Sequence, residues 1–155
     1  MLSKAKGSKS KLPAICYHYR MENISYTSSL EGVSPENLAG FFMGWSTIPS
    51  TETHFTLLQD SDYAVLAKDG ERVVGYVTAI TDKTLSAYIP LLEVLPEYRK
   101  QEIGTELVKR MLELLKEFYM IDLLCDTDLQ PFYEQFGMER VQGMYIRNSS
   151  KIPED

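Results

Sequence analysis

The sequence predicts a single mixed α/β domain: a central twisted mixed sheet flanked by helices. Three observations carry this. Residues 62–82, DYAVLAKDGERVVGYVTAITD, are two β-rich runs around Asp69-Gly70, a hairpin signal. Residues 103–118 place apolar side chains at helical spacing. MIDLLCD (120–126) then reads as a buried-type strand, closing a βαβ unit behind an antiparallel meander.

Taken in order, MLSKAKGSKSKLPA is basic and rich in Ser and Lys, with no apolar stretch after it. It reads as a disordered arm over 1–14, with the folded domain over 15–155. CYHYRME (16–22) alternates aromatics and reads as a first strand. SPENLAGFFMGW (34–45) opens with Ser34 as N-cap and Pro35 at the first helical position, and Leu38, Phe41, Phe42 and Trp45 follow at helical spacing. STETHFTLLQDS (50–61) reads as a second, shorter helix. After the hairpin, LSAYIPLLEVL (85–95) is a third strand of the meander, ended by Pro96.

The long helix has Ile103, Leu107, Val108, Met111, Leu112, Leu114, Leu115 and Phe118 on its apolar face. Glu106 and Arg110 sit at a favourable i,i+4 spacing on the other. LQPFYEQFG (129–137) is a short helix ended by Gly137, and VQGMYIRN (141–148) a last strand. The expected order is β-α-α-β-β-β-α-β-α-β.

Composition narrows the function classes. The 155 residues suffice for one domain with a sizeable core. A net charge of −6 argues against a nucleic-acid or anionic-membrane binder. No apolar run approaches the roughly 20 residues that span a bilayer. Cys16 and Cys125 form no CxxC pair, so a reducing, cytoplasmic setting is expected.

Two stretches carry chemistry. In YRKQEIGTEL (98–107), Arg99 and Lys100 lead through a polar loop to Gly104 at a helix start. Free N–H groups and the positive dipole end at such a junction can cradle a pyrophosphate. Read alone, the stretch fits an ordinary solvated helix start better, since one glycine and two basic residues before a helix are common. In LLCDTDLQPFYEQFGM (123–138), Asp126 or Asp128 can cap the short helix. Tyr133 lies among core aromatics, either as an amphipathic packing residue or with its hydroxyl at a site.

Together these stretches resemble the GNAT superfamily of acyl-CoA-dependent N-acetyltransferases, over about 34–148. Arg99-Lys100-Gln101-Glu102-Ile103-Gly104 matches the family's phosphate loop, Arg/Gln-x-x-Gly-x-Gly/Ala. LEVLPEY (92–98) looks like its fourth strand, and PFYEQFG (131–137) like its later helix. Residues 123–138 are particularly similar to serotonin (arylalkylamine) N-acetyltransferases.

The resemblance implies a GNAT-like fold with acetyl-CoA as cosubstrate and no metal. It implies that main-chain groups of Leu92, Glu93 and Val94 pair with pantetheine, and that the N–H groups of Lys100, Gln101, Glu102, Ile103, Gly104 and Thr105 hold the pyrophosphate. Asp126 aligns with a pantetheine-contacting asparagine. Tyr133 aligns with the tyrosine that protonates the leaving thiolate. The acceptor is then a small-molecule amine or a protein amino group, and a homodimer is in keeping with the family.

Two departures stand out. Glu102 replaces the family's first loop glycine, so restoring glycine is expected to tighten CoA binding at some cost in backbone entropy. Tyr88 and Pro90 stand where arylalkylamine enzymes carry histidines. Glu93, a charge in an apolar strand, is a candidate base, and Asp122 on the next strand poses the same question. An amine can also lose its proton to solvent with no dedicated base. A CoA-binding regulatory domain without turnover is the alternative. Phe41, Phe42, Trp45, His54 and Phe55 suggest either core packing or an aromatic acceptor pocket.

Overall fold

The computed structural model describes residues 23–148 and Lys151. The basic arm and the strand expected over 16–22 lie outside the described residues. Five strands form one sheet in chain order: β1 (Ile24–Thr27), β2 (Tyr63–Asp69), β3 (Arg72–Thr81), β4 (Ser86–Val94) and β5 (Met120–Asp122). The first four pair antiparallel and β5 joins β4 parallel, so the sheet is mixed as expected. The hairpin turns at Gly70, whose φ of +60° suits a residue without Cβ.

The helices are α1 (Thr51–Asp60), α2 (Ile103–Leu115) and the short α3 (Gln130–Glu134). Ser50 caps α1, its Oγ accepting from the Thr53 N–H at 3.0 Å. Ile103, Leu107, Val108, Met111 and Leu115 of α2 are buried, and Arg110 bonds Glu106 at 2.7 Å on the outer face. Leu114, expected on the apolar side, is instead exposed.

Each face of β3 carries one layer. A Cβ built at Gly75 would lie 3.1 Å from Leu107 Cδ1 and 3.3 Å from Ile103 Cγ2, so α2 lies directly on the strand there. The neighbouring Tyr76 points the other way, its ring 4.6 Å from that of His54 on α1.

Three expectations fail. The helix expected over 34–45 is a single 3₁₀ turn, Pro35–Leu38. Its start signal is real, for the Ser34 N–H donates to Asn37 Oδ1 at 2.7 Å. Gly40, Phe42 and Gly44 then take positive φ, which no right-handed helix accommodates. Leu38, Phe41 and Phe42 are buried from this loop, while Trp45 is exposed. The strand expected over 120–126 stops at Asp122. Residues 141–148 form no strand, and Val141, Met144, Tyr145 and Ile146 are exposed. The sequence has strand character there, but the ladder that would fix it has no second member among the described residues.

Two substitutions test the fold. A Cβ at Gly75 would also lie 3.2 Å from the Glu93 carbonyl oxygen, which cannot move aside. Gly75→Ala should cost about 1–3 kcal/mol, read as a lower urea midpoint at unchanged m-value. Glu102 has φ of +58°, in the left-handed region. That strain, about 1–2 kcal/mol for a residue with a Cβ, outweighs the entropy of glycine. Glu102→Gly should therefore raise stability by a few tenths to about 1 kcal/mol in the same measurement, reversing the sign expected from sequence.

Candidate active site

The site begins with a strand that loses one neighbour. Beside β3, Thr78 pairs with Leu91 and Ile80 with Tyr88, so Ile89 and Pro90 together face Ala79 alone. This is a β-bulge, a place where a strand bends and where proline, lacking an N–H, is tolerated. The β5 ladder meets β4 only at Ser86, Ala87 and Tyr88, just before the bulge. Beyond it β4 continues along β3 to Val94, and its other side pairs with no strand among the described residues.

The alternation of the antiparallel ladder sets which groups face that open side. The Leu95 N–H donates to the Val74 carbonyl at 2.9 Å. Tyr76 and Glu93 are then also a bonded pair, so the main-chain groups of Glu93 turn toward β3. Those of Leu92 and Val94 turn outward. The sequence expectation that all three residues offer backbone to a ligand is corrected to Leu92 and Val94. The outward Val94 carbonyl accepts from Arg99 Nε at 2.9 Å. Arg99 therefore lies against the open edge rather than simply lending charge to the loop.

The loop itself is shaped for an anion. Lys100 and Glu102 both have left-handed φ, 59° and 58°, and they alternate with other conformers before α2 begins. Such alternation turns successive N–H groups to one side as a nest. Gln101 is tied back by its Nε2 to the Glu97 carbonyl at 3.1 Å. The first intrahelical bond runs from the Glu106 N–H to the Glu102 carbonyl. The N–H groups of Ile103, Gly104 and Thr105 thus have no carbonyl behind them in the helix. A Cβ at Gly104 would meet only Phe132 at 3.7 Å and Val94 at 3.8 Å, ordinary contacts. Internal packing does not demand glycine there, whereas a ligand approaching that backbone would. The Glu102 side chain is exposed.

Glu93 is half-buried, and its Oε2 accepts from the Phe42 N–H at 2.9 Å. Burial pushes its carboxyl above the ordinary range, while that N–H and the charge of Arg99 pull the other way. Tyr133 on α3 is also half-buried, and burial, then the neighbouring Cys125, pushes its phenol up to about 12. It lines a cavity of about 610 Å³ with Leu123, Cys125 and Phe136. The structure sets Glu93 on β4 and Tyr133 beyond β5, and brings neither into contact with the other. Asp126 is exposed at the turn that starts at Thr127. Asp122 is exposed on β5, which removes the puzzle of a charge in an apolar strand.

Sequence reasoning missed Tyr76, opposite Glu93, and the Phe42 N–H. The strand alternation of 72–81 contains Tyr76, but nothing local marks its cross-strand partner. Of the aromatics considered for an acceptor pocket, Phe41, Phe42 and His54 are buried core, Phe55 is half-buried and Trp45 is exposed. Among the described residues no cluster of three or more His, Cys, Asp or Glu is placed to hold a metal, and no helix is long and apolar enough to cross a membrane.

Comparison with known proteins places the chain in a family. N-alpha-acetyltransferase 30 of Schizosaccharomyces pombe is 29% identical over 93 residues, covering 54% of this chain and 62% of that protein. The chloroplastic GCN5-related N-acetyltransferase 3 of Arabidopsis thaliana is 35% identical over 74 residues, covering 46% of this chain and 31% of that protein. The chain thus spans less than two thirds of either. A candidate acetyltransferase from Deinococcus radiodurans R1, solved by crystallography, is 42% identical with a TM-score of 0.81, over 83% of this chain and 91% of that one. The model of the acetyltransferase (GNAT) family matches residues 30–138, from before the first 3₁₀ turn to just past Tyr133 and Gly137. With a bulged β4 open on one side among the described residues, alternating backbone at the start of α2 and that match over most of its length, the chain belongs to the acetyltransferase (GNAT) family.

Proposed function

We propose that the protein transfers an acetyl group from acetyl-CoA directly to a primary amine, on a small molecule or a protein amino group. The observation that carries this is the open side of β4 after the bulge at Ile89 and Pro90, next to the nest of N–H groups from Lys100 to Thr105. An extended arm ending in a pyrophosphate suits the two together. Leu92 and Val94 would hold the arm by main-chain bonds, as an added strand would. The loop and the N-terminus of α2 would hold the phosphates. Asp126, exposed after β5, would contact the arm from the other side.

Acetyl-CoA supplies the acetyl group as a thioester. Glu93 takes a proton from the acceptor ammonium, directly or through water, and its raised proton affinity suits it to that task. The amine nitrogen then bonds to the acetyl carbon as the bond to sulfur breaks. A main-chain N–H of the open β4 edge polarises the acetyl carbonyl. Tyr133, a protonated phenol at neutral pH, gives its proton to the departing sulfur. The newly bonded nitrogen loses its second proton through water to the Tyr133 phenolate, and Glu93 releases its proton to solvent. The products are the amide, the free thiol and one proton, with no acyl-enzyme. Acetyl-CoA bound but only slowly hydrolysed, across a broad panel of amines, would replace this reading with a CoA-binding regulatory one.

Acetyl-CoA at 100 times its Kd should stabilise the fold by roughly 2.7 kcal/mol, seen as a rise of a few degrees in Tm. An unchanged Tm at millimolar acetyl-CoA, on a folded sample, would sink the proposal. Tyr133→Phe keeps the ring and deletes the hydroxyl. It should lower kcat by about 10²- to 10⁴-fold while leaving acetyl-CoA affinity nearly unchanged. Wild-type kcat in this variant would remove Tyr133 from the mechanism.

A further inference from the structure

Beneath Glu93 the core holds polar atoms that the fold does not satisfy. Tyr76 and Thr78 are 0% exposed and His54 is 1% exposed. The Tyr76 hydroxyl, the Thr78 hydroxyl and both imidazole nitrogens of His54 have no hydrogen-bond partner among the described residues. The Leu38 carbonyl faces the imidazole without reaching hydrogen-bonding geometry. Native proteins leave few buried polar groups unpaired, and adjacent ones call for a reason. Phenylalanine and valine would fill the same space as Tyr76 and Thr78 with nothing left to satisfy.

The three residues are contiguous, and they lead to the open strand. The His54 and Tyr76 rings are 4.6 Å apart. Tyr76 and Thr78 are two residues apart on β3, so their side chains share a face. Tyr76 stands directly opposite Glu93, near enough for the carboxylate charge to act on the phenol. Phe42 closes the end: its ring packs on His54 at 4.8 Å while its N–H bonds Glu93. Phe42 holds this place at a φ of +60°, a conformation a bulky residue adopts only when its surroundings impose it.

We propose that His54, Tyr76 and Thr78 form, with the Glu93 carboxylate, a buried hydrogen-bonded chain completed by ordered water, which positions Glu93 and keeps it ionised as the proton acceptor. The inference rests on Glu93 having that role in the proposed reaction. The groups facing Glu93 are the Phe42 N–H, the Arg99 guanidinium and the Tyr76 phenol. Those facing His54 are the rings of Phe41, Phe42 and Tyr76 and the Leu38 carbonyl. A hydroxyl donating to a carboxylate favours its charged form, which offsets the burial of Glu93. His54 is held neutral, since burial lowers its pKa to about 4. A neutral imidazole has one donor and one acceptor nitrogen, so it can pass a hydrogen bond on without adding charge. His54, Tyr76 and Thr78 are thus positioning residues that act through Glu93.

The test is a carbon-13 NMR titration of the Glu93 carboxyl, assigned with Glu93→Gln, in the parent, Tyr76→Phe and Thr78→Val proteins. Tyr76→Phe should raise the Glu93 midpoint by roughly half to one pH unit. The acid limb of kcat/KM should move up by the same amount, with acetyl-CoA affinity unchanged. Thr78→Val should move both in the same direction by less, and gives a second reading should Tyr76→Phe fail to fold. An unmoved Glu93 midpoint in a folded, more stable variant would overturn the proposal, because the hydroxyls would then be unpaired core atoms only. A midpoint that moves while the rate profile does not would uphold the chain of hydrogen bonds and remove Glu93 as the proton acceptor.

Discussion

Much of this structure depends on the unequal pairing of β4. One side of the strand is bonded to β3 through Val94, and the other meets β5 for three residues only. In an antiparallel ladder the residues between bonded pairs turn their N–H and C=O groups away from the partner, so Leu92 and Val94 present theirs outward. The bulge at Ile89 and Pro90 ends the shared ladder, since a proline cannot donate and a bulge bends the strand. The open side of β4 is thus a property of the sheet, set at a residue that carries no chemistry of its own.

The close contact of α2 with β3 couples the two halves of the site. Gly75 lets Leu107 and Ile103 sit against the strand, and its neighbours across the ladder are Val94 and Glu93. The same helix begins with the nest that carries Lys100 and Glu102 at positive φ. The place of this loop relative to the open edge is therefore fixed by packing over a few ångströms. Glu102 is a poor residue for its backbone conformation, and its side chain is exposed. Strain of this kind, held by well-packed surroundings, is common where backbone groups face a ligand.

The sequence was most informative where structure is local. Asp69-Gly70 set the hairpin, and the apolar period of 103–118 set α2, apart from exposed Leu114. The loop from Arg99 to Gly104 was legible because its residues are contiguous. Residues 34–45 misled because Leu38, Phe41, Phe42 and Trp45 keep a helical spacing. Leu38, Phe41 and Phe42 are buried all the same, from a loop whose path is set by Gly40, Phe42 and Gly44. Glu93 was visible as a charge in an apolar strand, but its partner lies 51 residues away, on the backbone of Phe42. The opposition of Tyr76 and Glu93 depends on register, which the bulge shifts, and no pattern within either strand reveals it.

The Arg99 contact has a consequence for solubility. An unpaired strand edge with free carbonyls is a template on which another chain can pair, and proteins blunt such edges with charged side chains. Arg99 Nε covers the outward carbonyl of Val94, the last residue of β4. A guanidinium there gives an incoming strand both a competitor for its hydrogen bond and a charge to desolvate. The open side of β4 would make it adhesive, and Arg99 limits that adhesion for the protein standing alone in a crowded solution.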